Sequence, residues 1–219
     1  MDAVANQTPA DVASDYSLTA FIVQQLMSGM ATATLVKVVK CTNSGGVTAS
    51  GFVDVQPLVN MMTGNRIAVP HGVLYGLPYN RLQGGANAII LDPQEGDIGI
   101  ALFASRDISA VKKAKAQANP GSSRQFNLAD GMYVGGLLNG APTQYVQFND
   151  EGLTVVSPTA IKLQAPTITL DGAVIATSTI DAAGIIHSDI DVISDTVSGK
   201  SHLTTGVQAG SDLSGPPQP

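Results

Sequence analysis

A chain of 219 residues with 13% charged side chains, a net charge of −6 and a single cysteine already excludes several classes of protein. Charge is about half as frequent as in ordinary soluble domains, so Thr, Ser, Asn and Gln must carry much of the polar surface, as suits a β-rich fibre or an oligomer that hides part of each chain. The negative balance argues against nucleic acid as the main partner, because phosphate binding draws on Lys and Arg. Lone Cys41 rules out an intrachain disulfide or thiolate metal cluster and fits folding in a reducing cytoplasm.

In chain order, residues 1–15 are polar, are broken by Pro9 and read as an arm. Leu18, Phe21, Ile22, Leu26 and Met30 then recur at three- and four-residue spacing, which predicts an amphipathic helix to about residue 30 with Asp15 or Ser17 as N-cap. The helix carries no Lys or Arg to hold anionic lipid, so packing on the following domain is expected rather than membrane attachment. No basic and apolar leader and no run of about 18 apolar residues is visible. The expectation is a protein neither secreted by the general route nor membrane-spanning.

From residue 31 the period changes to two. Runs at 32–41, 47–58, 67–79, 87–92 and 97–105 are β-branched and are separated by NSGG, TGN, QGG and PQEG, all turn chemistry. Five short strands in so little chain predict a small barrel over 31–110, of which the oligonucleotide/oligosaccharide-binding (OB) type is the best fit. A polar connector or neck follows over 111–150, with strand character returning at MYVGGLL and TQYVQF. Its basic run, Lys112, Lys113 and Lys115, reads as a solvated face.

After Phe148 no aromatic residue occurs. Val, Ile and Thr dominate 152–200, cut at short intervals by DEG, SPT, APT and DGA. Apolar pairs form a ladder: Leu153/Val155, Ile161/Leu163, Ile168/Leu170, Val174/Ala176, Ile180/Ala182 and Ile190/Val192. Such a degenerate repeat of short strands has no large side chains from which one chain could build a core. Three copies wound about one axis can bury it, sending the β-branched residues inward and Asp or Thr outward, as Asp189 and Asp191 flanking Ile190 suggest. Pairing strands between chains also removes open edges. The fold class expected is therefore all-β, with a short N-terminal helix, an OB-type barrel and an intertwined trimeric β-helix shaft over 151–200, followed by residues 201–219.

GFVDVQPLVN (51–60), VPHGVLYGLPYNRLQGG (69–85), DPQEGDIGIALFASRDIS (92–109) and NPGSSRQFNLADGMYVGGLLNG (119–140) resemble the N-terminal barrel of membrane-piercing central spikes in contractile-tail phages. GVQAGSDLSGPP (206–217) resembles the apex of the same spikes. The resemblance implies a non-enzymatic virion protein at the tip of the tail baseplate, made and assembled in the host cytoplasm. It implies a homotrimer that docks on tail hub proteins and pierces the host outer membrane when the sheath contracts; whether a separate tip protein caps the spike stays open. Many such spikes carry a His-x-His pair before Gly-Val-Gln, and three copies of it hold one iron. Here SHLTTGVQ (201–208) keeps His202 and has Thr204 in the second position. Three His202 side chains remain a candidate metal site, and packing of His202 without metal is the simpler alternative.

His71 lies in a Pro-His-Gly turn and His187 in the ladder, so no single chain shows a metal cluster or a Ser/His/Asp set. QGGANA (83–88) lacks the Lys-Ser/Thr of a phosphate loop and reads as a hairpin turn. Glu95 and Glu151 are the only glutamates. A polysaccharide-binding or polysaccharide-degrading tail fibre, the alternative reading, would need paired carboxylates beside aromatic sugar platforms, which the aromatic-free ladder does not offer.

Overall fold

Valines at alternate positions organise the first part of the molecule. In β1 (Ala33–Cys41) Val36 and Val38 face inward, and in β2 (Phe52–Pro57) Val53 and Val55 do the same, leaving Lys37, Asp54 and Gln56 toward the other side. Leu77 of β5 (Leu74–Pro78), Ala101 of β8 (Ile98–Phe103) and Tyr133 of β9 (Gly131–Gly135) complete a core that also takes in Tyr79. Each fully buried Val or Leu stabilises such a core by about 1.5–3 kcal/mol. The computed structural model describes residues 9–63, 65–195 and 197–199, in two units, Met1–Pro158 and Thr159–Pro219.

The sheet of the first unit has the order β5-β2-β1-β8-β9, antiparallel throughout. Register shifts between Val38 and Lys40 and between Val53 and Val55 mark bulges, which strengthen twist and bend the strands. The sheet curls until its two edges approach. Tyr79 and Tyr133 form a parallel bridge, and the Asn80 N–H donates to the Tyr133 carbonyl at 2.8 Å. The result is a curled antiparallel half-barrel. Gly99 permits close packing inside it, since a Cβ there would lie 2.6 Å from the Tyr133 ring.

Smaller hairpins decorate the connections on either side of β5: β3 (Met61–Met62) with β4 (Ala68–Val69) before it, and β6 (Gln83–Gly84) with β7 (Asn87–Ala88) after it. The second is the hairpin that QGGANA predicts.

The N-terminal helix, α1 (Asp15–Ser28), starts earlier than its apolar spacing suggests. Ser14 is the cap: its hydroxyl accepts from the Ser17 N–H at 3.2 Å, while the Ser17 hydroxyl accepts from the Ser14 N–H at 3.0 Å. This reciprocal pairing satisfies two otherwise orphaned donors. Contrary to the expected packing on the next domain, α1 has no buried residue, and its main neighbour is the 3-10 turn Pro9–Val12. No helix among the described residues is long and apolar enough to cross a membrane.

The stretch 111–150, read from sequence as a connector, holds more structure than that. A short helix, α2 (Ser109–Ala114), carries Lys112 and Lys113 in its last turn, and Lys115 follows at φ 51°. β9 lies inside the same stretch yet belongs to the sheet, which therefore runs past residue 110. Tyr145–Asn149 (β10) and Gly152–Val156 (β11) form a separate two-stranded hairpin. From 157 to 192 the chain carries neither helix nor strand, and Ile193–Ser194 (β12) then pairs with Val197–Ser198 (β13). The ladder pairs from Ile161 to Val192 thus form no strands within their own chain. The apex expected at 201–219 lies outside the described residues.

Candidate functional site

The β10–β11 hairpin pairs fully, from Tyr145 opposite Val156 to Asn149 opposite Gly152. Alternation puts Val146, Phe148, Leu153 and Val155 on one face, with Gln147, Asn149 and Thr154 on the other. The apolar face has no cover: Phe148 is 81% exposed and its cross-strand neighbour Leu153 is 59% exposed. A two-stranded hairpin is marginal in water unless something packs on it.

The second unit repeats the condition over a longer stretch. Twelve large apolar side chains between Ile161 and Ile193 are exposed, and no residue from 157 to 190 is buried. Exposure reaches 82% at Ile190, the residue whose flanking aspartates suggest an inward position. Asp189 pairs with the exposed His187 at 2.9 Å, and Asp191 Oδ1 accepts the Val192 N–H at 2.8 Å. Contiguous apolar surface of this extent marks an interaction site in a soluble protein.

Titratable groups cluster elsewhere, at two closed networks in the first unit. In one, the Arg81 guanidinium donates to Asp92 Oδ1 and to the Thr48 carbonyl. The Tyr79 hydroxyl donates to the same Asp92 oxygen, and Asp92 Oδ2 accepts the Gly45 N–H at 2.9 Å. Burial pushes the Asp92 carboxyl up, but the bonds from Tyr79, Arg81 and Gly45 outweigh it and hold the carboxyl below its ordinary range. Burial and Asp92 together raise the Tyr79 hydroxyl. The network pins the loop between β1 and β2 to the loops after β5.

In the other network Arg124 bridges Asp130, at 2.7 Å from Nε to Oδ2, and Asp107, at 2.9 Å from Nη2 to Oδ1. Asp130 Oδ1 also takes the Ile108 N–H, and Asp107 takes the Ser109 N–H and the Ser122 hydroxyl. Hydrogen bonds from Ser109 and Ser122, with Arg124 nearby, hold Asp107 at about 2. Arg124 does the same in direction for Asp130. The carboxylates of both networks are engaged by these donors, and the arrangement ties loops to the barrel. Among the sheet residues, burial pushes the Tyr133 hydroxyl up to about 12.

His71 and His187 fall in different units, and among the described residues no group of three or more His, Cys, Asp or Glu is placed to hold a metal. His202 and Thr204 lie outside the described residues. Both aspartate–arginine networks escape a reading of the sequence, because their members are up to 47 positions apart and share no motif. No protein-family model matches the chain, and no curated protein matches it significantly.

Proposed function

We propose that this chain is the central spike of a contractile phage tail or tail-like particle. It acts as a homotrimer whose barrel docks on the tail hub and whose C-terminal shaft is driven through the host outer membrane. The observation that carries the reading is the 157–192 stretch, which exposes its apolar ladder and forms no strand among the described residues. Backbone groups left without water need partners, and apolar side chains need cover. Two further copies supply both at once, since three chains wound as a β-helix pair their backbones with one another and enclose their Val and Ile side chains.

The first unit supports the same reading. Its five antiparallel strands, curled until Tyr79 and Tyr133 approach in parallel, support an OB-type reading of this half-barrel. The long stretches of resemblance to spike barrels fall on it. Loops, aromatics and charged networks are concentrated there, as suits specific docking on a hub, whereas the shaft needs only stiffness from close packing and a continuous ladder. No chemistry is required of it. At the apex, three His202 imidazoles are a donor set suited to one transition metal, and elemental analysis of the purified trimer decides whether iron is held there.

Mass measurement in native buffer should give three chains; a stable folded monomer overturns the reading. A density map of the assembled particle, with antibody against residues 157–192, should place the label at the distal tip, and label on the sheath or tail tube would exclude a spike.

A further inference from the structure

Repeats are good at closing a fibre and poor at aligning it. The ladder pairs from Ile161/Leu163 onward are chemically alike and spaced six to ten residues apart, so three chains slipped by one repeat would still set apolar pairs against apolar pairs. A buried face excludes a slip of one residue, which would turn every side chain over, but not a slip of a whole repeat. Something outside the repeat must fix it.

We propose that the β10–β11 hairpin is where three copies of this chain first meet, and that its apolar face sets the register from which the shaft zips; this rests on the trimeric reading above. Three features single it out. It is already paired within one chain over ten residues, so joining three copies there costs little further backbone ordering, whereas the 157–192 stretch, which carries no strand, must take up strand geometry as it associates. Its apolar face, Val146, Phe148, Leu153 and Val155, is uncovered, holds the first pair of the ladder and leads directly into the rest of it. Phe148 is also the last aromatic side chain, so no later position can imitate it if the chains slip.

Area identifies the occupant as further copies of the chain. At about 60–120 Å² per buried apolar side chain, the four hairpin residues offer roughly 240–480 Å² per chain, short of the ~800 Å² per partner of a stable interface. A partner seated on the hairpin alone would therefore bind weakly. Adding the twelve exposed ladder residues raises the area to about 1,000–1,900 Å², and a second copy brings the matching ladder with it. A weak first contact followed by a long zipper also lets misaligned chains separate before they commit.

The test uses the full chain, refolded from denaturant and followed by native mass and by pulsed hydrogen exchange. The first trimeric species should protect the amides of 145–156 while those of 159–193 still exchange. Phe148→Ser should slow the appearance of trimer by about tenfold or more, whereas Ile168→Ser should change that rate less than about twofold and act on dissociation instead. Protection of 159–193 no later than the hairpin overturns the proposal, and so does assembly of Phe148→Ser at the wild-type rate. If Phe148→Ser fails to assemble at all, the exchange order in the unmodified chain decides. A wild-type chain that is monomeric in native buffer refutes the trimeric reading itself, a result distinct from a trimer that assembles in the other order.

Discussion

Arg81 shows how much one side chain can hold. Its guanidinium is almost wholly buried, lies 5.9 Å from the Tyr79 ring centre and joins a buried carboxylate to the Thr48 carbonyl. Replacing it by Met would leave Asp92 buried without its cation, which costs about 3–5 kcal/mol in comparable pairs. Arg81→Met should lower the melting temperature of the barrel and open residues 42–51 to limited proteolysis; adding Asp92→Leu should recover part of the loss. The Arg124 network gives a pH dependence. Asp107 and Asp130 titrate below the ~3.9 of an unfolded aspartate, so their ionised forms favour the folded state. That stability is complete above about pH 4 and is lost as pH falls toward 2. The melting temperature of the barrel should therefore stay level from pH 7 to 5 and fall steeply between 4 and 2, and Arg124→Met should flatten the fall. Neither network was legible in the sequence, because an aspartate reads the same whether it faces water or a distant arginine.

Among the elements, those with a strict period were the easiest to foresee. β1, β2, β5 and β8 fall within runs whose alternation marks them, and their inward valines are the ones the alternation selects. β9 was foreseen as a strand but not as a member of the same sheet, since sequence periodicity carries no information on pairing across the 27 residues between β8 and β9. The capping box of α1 was missed by one residue, because Ser14, Asp15 and Ser17 are all competent caps and only backbone geometry chooses among them. The ladder is the element with the clearest consequence. In the proposed trimer, Ile168→Asp or Ile190→Asp would bring three carboxylates toward one axis without partners. Each should abolish trimer in native mass measurement while the barrel's near-ultraviolet circular dichroism is retained.

For the whole molecule, the proposed trimer of interlocked chains would come apart slowly, so its stability is expected to be kinetic. The apparent melting temperature of the shaft should rise with scan rate, and trimer should survive detergent on a gel unless boiled; rapid reversible melting independent of scan rate would argue against interlocking. Composition and period alone pointed to a β-rich chain whose C-terminal third lacks the large side chains of a core. These properties follow from side-chain size and spacing, which are local. Only the tertiary structure decided that the sheet curls until Tyr79 meets Tyr133, that Asp92 and Asp130 find their arginines, and that the hairpin before the ladder pairs within one chain while leaving Phe148 bare. Each of these depends on which distant residues are brought together, and that is fixed by the cooperative closure of the sheet rather than by any single stretch of sequence.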